Sequence, residues 1–448
     1  MCSGLTAKQQ VIPWLVPAGA TTPEAASGAS RSSFSASNGK TTGTYLQQEF
    51  SLHNALLITG GVRRDRLSTF GSNFDTVLYP SVDVSWLLSE HGVFSQHSWL
   101  NTLQLQSAYG TSGQAPNTAN GVNALTIWPI ADVPDHKTEH SAEWESGADI
   151  RMFGGASNVA LSYYRTKTTN VLVRIFVVVL PNPVVTTYRS DGAEVHNTGV
   201  ELSLFQHLVS KPQFSTSIML TANANKNRLI SLPVDVPPIF AGNRTTQKNA
   251  PGYPLYGFWG RTYTFADANN DGIITGSEMT FSDTAQFIGS SFPTRTLAVS
   301  PAVDFFNHKL RVYAQLDSKW GFKKFNNTLR HQCQSALSCR ARNDRSASLA
   351  DQAAAVAITQ GALTGMIEDG AFTRLREASV LYELPTRWAS AIRASSWDIV
   401  LTGRNLGVAT NYSGIDPEAS VSTTDARQDE YFSTPMARYY TLPLNVRF

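Results

Sequence analysis

The residues best suited to chemistry lie in one acidic loop, 267–278. Carboxylate, amide and hydroxyl oxygens recur there at the spacing of a calcium-binding loop, and Gly272 occupies the position that requires a sharp turn. Such oxygens suit a hard cation, so we expect a structural Ca²⁺. A metal-free Asx-rich turn is the alternative, because the sequence predicts no pair of flanking helices. The candidate ligands are Asp267, Asn269, Asp271, Ile273 through its carbonyl, Thr275 and Glu278.

Cys333 and Cys339 are close enough in sequence to form a disulfide within one loop. Such a bond suits an oxidising envelope or a cell-surface location. Two free thiols in a flexible loop are the alternative, because sequence spacing alone does not fix the geometry.

The sequence carries little that indicates catalysis. It contains no His-Glu-x-x-His zinc motif, no Gly-x-Ser-x-Gly nucleophile turn and no complete phosphate-cradling Gly-x-x-x-x-Gly-Lys-Ser/Thr loop. The net charge of +2 argues against strong attraction to nucleic acid. We therefore expect a protein that is not an enzyme, requires no cofactor and does not bind nucleic acid.

The elements that position these residues are predicted to be strands. Charged residues make up 16% of the chain, well below the roughly 25% of an average soluble protein. No apolar run approaches the about 20 residues that a membrane helix needs. Instead, apolar and polar residues alternate, most clearly over 310–320 and 440–448. Several alternating segments reach about ten residues, which is the length of a tilted membrane strand.

The predicted fold is all-β, a transmembrane antiparallel β-barrel over 41–448. Residues 1–40 are predicted to be an irregular segment or an extracellular loop, and 348–358 a short helix. Connections alternate between short and long, as in outer-membrane barrels with short periplasmic turns and long extracellular loops. About fourteen strands are predicted, at 43–53, 55–67, 76–90, 98–110, 138–153, 157–175, 198–210, 213–229, 255–266, 295–306, 308–325, 371–384, 396–406 and 438–448.

Four stretches, in family order, resemble the C-terminal barrel of TonB-dependent receptors of the SusC/RagA type. Residues 60–90 carry Arg-x-Asp, Phe-Gly, Tyr-Pro and Ser-Trp, and 265–278 carry Asp-x-Asn-x-Asp-Gly. Residues 367–385 carry Gly-x-Phe-x-Arg-Leu-Arg and end in Leu-Pro, and 401–420 carry Gly-Arg-Asn-Leu and Tyr-x-Gly-x-Asp-Pro-Glu. The resemblance covers roughly 40–448. The family's plug and TonB box are not recognised and no signal peptide is visible, so we expect part of a barrel of about 22 strands.

The resemblance implies a nutrient importer of the cell outer membrane, in contact with the lipids of that membrane. It also implies oligosaccharide or peptide cargo, a SusD-like surface lipoprotein as a lid, and a TonB complex reached through the N-terminal part. A passive porin or surface adhesin barrel, and a soluble calcium-stabilised protein that binds glycans, are the alternatives. Tyr412 and Asp416-Pro417-Glu418 are predicted to form a turn, with contact to substrate or to a partner lipoprotein as the alternative. Many of the tryptophans are predicted to form a girdle at the membrane interface.

Overall fold

The computed structural model describes residues 2–9, 34–67, 76–90, 98–114, 139–179, 184–233, 239–240, 246–420 and 428–448. In the N-terminal half, consecutive strands pair antiparallel with their neighbours in the chain. These strands are β1 (Cys2–Gln9), β2 (Phe34–Leu52), β3 (Leu56–Leu67), β4 (Val77–Leu87), β5 (Leu100–Gln114), β6 (Glu139–Met152), β7 (Ser157–Val179), β8 (Val184–Lys211) and β9 (Phe214–Ser231).

The chain then leaves the main sheet and forms two small separate sheets. The predicted barrel strand over 255–266 was wrong, because this segment breaks into two pieces too short to cross a membrane. Phe258 is fully buried there in a core outside the main sheet. The strands of this region are β10 (Ile239–Phe240), β11 (Gln247–Asn249), β12 (Gly257–Gly260), β13 (Tyr263–Phe265), β14 (Met279–Phe281) and β15 (Gln286–Gly289).

The C-terminal half returns to the main sheet and leaves it once more. β16 (Arg295–Phe305) and β17 (Leu310–Trp320) pair with each other, and two later strands continue the sheet. The intervening segment carries most of the helical residues. The remaining elements are β18 (Lys323–Asn326), α1 (Asn327–Gln334), α2 (Arg340–Asn343), α3 (Leu349–Thr359), β19 (Ile367–Asp369), β20 (Phe372–Glu383), α4 (Thr386–Ala391), β21 (Ser396–Thr410), β22 (Asp429–Glu430), β23 (Tyr439–Thr441) and β24 (Leu444–Arg447).

Fifteen strands form the main sheet, in the order β1 to β9, then β16, β17, β20, β21 and β23, with β24 also on β21. β23 and β24 occupy one position interrupted at Pro443, which has no backbone N–H to donate. The sheet therefore has fourteen strand positions, the predicted number. The two numbers agree only because two errors cancel. The segment over 255–266 was predicted as a strand of the main sheet and is not one, whereas β1 is a strand of that sheet and was not predicted. Residues 2–9 of the predicted irregular segment 1–40 pair as a strand with 34–41, and 10–33 lie outside the described residues.

Side chains alternate between the two faces of this sheet. One cross-strand row on β7, β8, β9 and β16 is apolar and consists of Val159, Leu204, Leu220 and Val299. A row on the opposite face of the same strands is polar and consists of Ser162, Glu201, Asn223 and Thr296. This separation is the pattern of a transmembrane barrel, with an apolar face toward lipid and a polar face toward the lumen.

Tight turns close one end of the strand pairs. Asn54, Gly154 and Asn307 lie in these turns with φ of 54°, 68° and 54°. Asn and Gly tolerate this left-handed backbone better than other residues. The predicted short connections near 154–155, 211–212 and 307–308 are present, and the three longest connections, after β9, β17 and β21, lie at the opposite end of the strands.

Parts of the connections after β9, β17 and β21 pack into a folded layer, which we call the loop subdomain (246–292, 322–371, 411–420 and 428–433). Its central element is α3, whose bounds differ by one residue at each end from those of the helix predicted over 348–358. Ser348 caps the helix by accepting from Asp351 N at 3.1 Å, and Gly361 follows its end with φ 74°. The alanine-rich faces of α3 contact two apolar clusters, around Phe325 and around Ile274.

Across the described residues, none of the helices is both long and apolar enough to cross a membrane.

Candidate functional site

A network of charged side chains joins β20 to the loop that follows β21. Arg374 Nη2 lies 2.6 Å from Asp416 Oδ1, and its Nε lies 2.9 Å from Glu418 Oε2. Arg376 Nη2 lies 2.6 Å from Asp317 Oδ2 and 2.8 Å from Glu418 Oε2. Glu418 therefore contacts two guanidinium groups on the same strand, which compensates for the loss of water around these charges.

The structure explains the role of Asp416-Pro417-Glu418. The segment forms a turn as predicted, because Glu418 N donates to Asp416 Oδ1 at 2.9 Å and Ala419 N donates to Asp416 O at 3.1 Å. The same carboxylates bind the barrel arginines, and Asp416 is buried. Burial favours a raised pKa for Glu418, but hydrogen bonds from Lys319 and Arg376 outweigh it and the pKa is lowered. These residues are therefore anchors of the loop.

A second buried group lies beside this network, where β18 meets β22. Glu430 is fully buried and accepts hydrogen bonds from Thr328 Oγ1 at 2.7 Å and Tyr412 Oη at 3.3 Å. Burial raises the pKa of Tyr412, and the charge of Glu430 adds to the effect. Lys324 is 1% exposed, and burial lowers its pKa to about 8 although Glu430 and Asp416 oppose the shift. Sequence reasoning did not identify Lys324 or Glu430, since neither lies in a recognisable motif.

The predicted calcium loop folds around its own side chains. Asp271 N donates to Asp267 Oδ1 and Asn269 Oδ1, both at 3.1 Å. Gly272, with φ 74°, donates to Asp267 Oδ2 at 3.0 Å. Glu278 closes the loop by accepting from Ala268 N at 3.1 Å and Thr275 N at 2.9 Å. The hydrogen bonds from Thr275 lower the pKa of Glu278.

The chemistry of this donor set suits a hard cation, because it offers carboxylate and amide oxygens. In the structure, the oxygens of Asp267, Asn269 and Asp271 accept hydrogen bonds from backbone N–H groups of the loop itself. No group of three His, Cys, Asp or Glu residues is arranged to hold a metal ion within the ranges that the structure describes. A cation in this loop would therefore depend on amide and carbonyl oxygens, including those of Asn269 and Ile273. The calcium site stays a prediction.

One buried glutamine connects the calcium loop to α3. Gln352 Nε2 donates to Gly272 O at 3.1 Å, and Gln352 Oε1 accepts from Ile274 N at 3.1 Å. The sequence predicted no flanking helix pair, and the structure supplies a single helix that lies far away in sequence. Order in the loop is thereby coupled to the core of the loop subdomain.

The two cysteines meet within the same subdomain. Cys333 and Cys339 form a disulfide with their Cα atoms 4.8 Å apart, and both side chains belong to the apolar cluster around Phe325. The bond closes a short loop between α1 and α2. Oxidation of this pair in the native envelope stays a prediction.

The inner face of the N-terminal half of the sheet presents carboxylates and amides. Glu143 accepts from Thr166 Oγ1 at 2.7 Å, and Glu201 accepts from Asn223 Nδ2 at 3.0 Å. Glu145 faces the same side, at the edge of a cleft that Glu201 also lines. These groups line the polar face of the sheet with hydrogen-bond donors and acceptors.

Several tryptophans are exposed, and Trp86 and Trp144 lie on the apolar face of the sheet, as a membrane girdle requires. Trp86, Trp99, Trp144 and Trp388 are exposed, whereas Trp259 packs against Tyr253 and Phe287 in the loop subdomain. Trp128 lies outside the described residues. The exposed tryptophans are consistent with the predicted girdle, and Trp259 does not belong to it.

The comparisons with known proteins agree with this architecture. A protein-family model described as "TonB dependent receptor-like, beta-barrel" matches residues 11–432. TonB-dependent receptor P3 of Formosa agariphila is 22% identical over 88% of this chain and 44% of its own length. The RagAB peptide importer in its "closed-closed" state aligns with TM-score 0.75 and 19% identity over 93% of this chain and 48% of that chain. The chain thus spans about half the length of the proteins it matches.

Proposed function

This chain belongs to the TonB-dependent receptor-like β-barrel family, and we propose that it forms the wall of an active nutrient importer. Barrels of this family are outer-membrane proteins, so the chain lies in the outer membrane. The alternative of a soluble, calcium-stabilised protein that binds glycans is therefore wrong. The observation that carries the proposal is the separation of an apolar row such as Val159 and Leu204 from a polar row such as Ser162 and Glu201. A wall of this kind closes its backbone hydrogen bonds between strands and leaves a polar path inside.

The cargo we propose is an oligosaccharide or a peptide. Hydroxyl and amide groups of such molecules can pair with the carboxylates and amides of the inner wall, including Glu143, Glu201 and Asn223. The structural likeness to a protein described as a peptide importer supports the peptide. The inner wall binds and releases cargo without changing it, since we propose that the protein is not an enzyme.

The partners we propose are a SusD-like surface lipoprotein and the TonB complex. The lipoprotein would act as a lid over the loop subdomain, whose fold is fixed by the buried Arg374–Asp416 pair. The TonB complex would supply force through a part of the protein beyond this barrel wall.

The test is uptake in the source bacterium. The gene is disrupted and restored, and entry of labelled oligopeptides and oligosaccharides is measured with and without a protonophore. We expect uptake of one cargo class that needs the gene, stops when the proton gradient collapses and delivers the cargo intact. Gene-dependent uptake that survives the protonophore would indicate a passive porin instead. Gene-dependent modification of the cargo would indicate an enzyme.

A further inference from the structure

The outward face of β9 changes from apolar to positively charged toward the end that joins the loop subdomain. From Phe214 to Ala224 this face is apolar except at Thr216, over a height of about 25 Å at about 3.3 Å per residue and about 40° tilt. Lys226 and Arg228 follow on the same face, and both are exposed. The two cations therefore lie just above the apolar band, at the level of the outer-leaflet headgroups.

Neighbouring strands add cations at the same level. Arg295 on β16 pairs with Ala224, and Arg165 on β7 lies two strands from Lys226, across Thr198. All are exposed on the outward face. None of the ion pairs within the described ranges involves Arg165, Lys226 or Arg295. This part of the outer surface thus carries positive charge that forms no ion pair with the carboxylates that the structure describes.

A cavity of about 670 Å³ lies at this place. Lys226, Arg228 and Arg295 line it on the barrel side, and Phe287 and Phe292 line it on the side of the loop subdomain. Arg228 is held in position because its Nε donates to Gly252 O at 3.1 Å. The volume suits a small headgroup, since ligand pockets usually measure about 300–1,000 Å³.

We propose that this outward cationic pocket binds the phosphorylated headgroup of an outer-leaflet lipid. Arginine and lysine provide charge-assisted hydrogen bonds to phosphate, and basic pockets at membrane interfaces recognise anionic headgroups. The two phenylalanines provide apolar contact for the rest of the lipid. The cations of the pocket lie on the lipid-facing side of the barrel wall, so the inference depends on the outer-membrane location and not on the proposed cargo.

The test uses the natural protein, purified from its outer membrane in detergent. Binding of diphosphoryl lipid A is titrated by native mass spectrometry for the wild type and for K226Q/R295Q. The matched control is K211Q/K309Q, which removes two exposed lysines at the opposite, periplasmic turns. Heat-dependent gel mobility checks that each variant is folded, and K226Q alone is used if the double variant does not fold.

We expect K226Q/R295Q to bind diphosphoryl lipid A about thirtyfold more weakly, and K226Q alone about fivefold more weakly, from a loss of about 1 kcal/mol for each cation. The control should bind like the wild type. Equal affinity of the pocket variant and the control would overturn the proposal. Equal binding of a fully dephosphorylated lipid A would also overturn it. Competition by inorganic phosphate at the same concentration as the lipid would indicate a free-anion site and would overturn the lipid assignment.

Discussion

Arg374 Nη2 donates to Asp416 Oδ1 across 2.6 Å, with both side chains only 4% exposed. Arg374 belongs to the barrel strand β20, and Asp416 belongs to the loop that follows β21. Both residues lie in the stretches that resemble the SusC/RagA family. The contact shows that these stretches hold the loop subdomain on the barrel, since a buried charge without its partner is strongly destabilising.

Replacing Arg374 by Met should therefore destabilise the loop subdomain by about 3–5 kcal/mol, because Asp416 would be left buried and unpaired. Hydrogen exchange of 411–420 measures the effect. R340M is the control and should leave the exchange nearly unchanged, because the side chains of Arg340 and Asp344 are 72% and 42% exposed. The double variant R374M/D416L should recover most of the loss. Unchanged exchange in R374M would show that the pair is not an anchor.

Gly199 faces Tyr164 on the inner wall, so Gly199→Ala should disturb the barrel. A Cβ at position 199 would lie 2.5 Å from Tyr164 Cζ. The ring would have to move and give up the hydrogen bond from Asn225 Nδ2 to Tyr164 Oη, now 2.6 Å long. We expect a loss of about 1–3 kcal/mol, seen as a lower temperature for the heat-dependent mobility shift. Gly60→Ala is the matched control, because nothing lies within 4 Å of its added Cβ. The same shift in both variants would contradict the packing argument.

The loop subdomain should become more stable as the pH rises from about 7.5 to 10. Burial lowers the pKa of Lys324 to about 8 from 10.5 in the unfolded chain. Between these values the unfolded state binds more protons than the folded state, so the free energy of unfolding rises with pH. The gain should be about 2 kcal/mol.

Hydrogen exchange of 323–326 across this pH range measures the Lys324 effect, after correction for the intrinsic exchange rate. K324M removes the titrating amine, so the difference between the two proteins isolates its contribution. A parallel pH dependence in both proteins would refute the assignment to Lys324.

Calcium should bind the loop with the modest affinity of extracellular sites, with a Kd of about 10⁻⁴–10⁻³ M. Terbium luminescence and calcium titration of the natural protein measure it. D271N should weaken binding, whereas D283N, outside the candidate ligand set, should not. Because Gln352 couples the loop to α3, calcium should also slow hydrogen exchange in α3. Absence of binding at millimolar calcium would leave the metal-free turn as the correct description.

The disulfide between Cys333 and Cys339 should be present in protein taken from the native envelope. Peptide mass spectrometry without reduction should show the two cysteines linked. Its removal in C333A/C339A should cost about 2 kcal/mol, because the bond closes a loop of only six residues' separation. C2A serves as the control for cysteine loss elsewhere in the chain. Alkylation of both thiols in unreduced protein would contradict the prediction.

The sequence determined the features that depend on neighbouring residues. Alternation over 310–320 predicted β17, and the alanine-rich run after Ser348 predicted α3 with an error of one residue at each end. Two of the three predicted short turns contain Asn or Gly, at 307–308 and 154–155, and the third contains Lys211-Pro212. These signals are local, because the side-chain period and the turn conformation are set within a few residues.

Tertiary structure decided which segments share a sheet and which charges meet. The segment over 255–266 alternates like a barrel strand, but burial of Phe258 among residues far away in sequence draws it into the loop subdomain. The strand β1 and its partner residues 34–41 lack apolar alternation, so pairing alone identifies them. The Arg374–Asp416 and Gln352–Gly272 contacts span 42 and 80 residues. Contacts over such distances follow from the closure of the fold and leave no periodic pattern in the sequence.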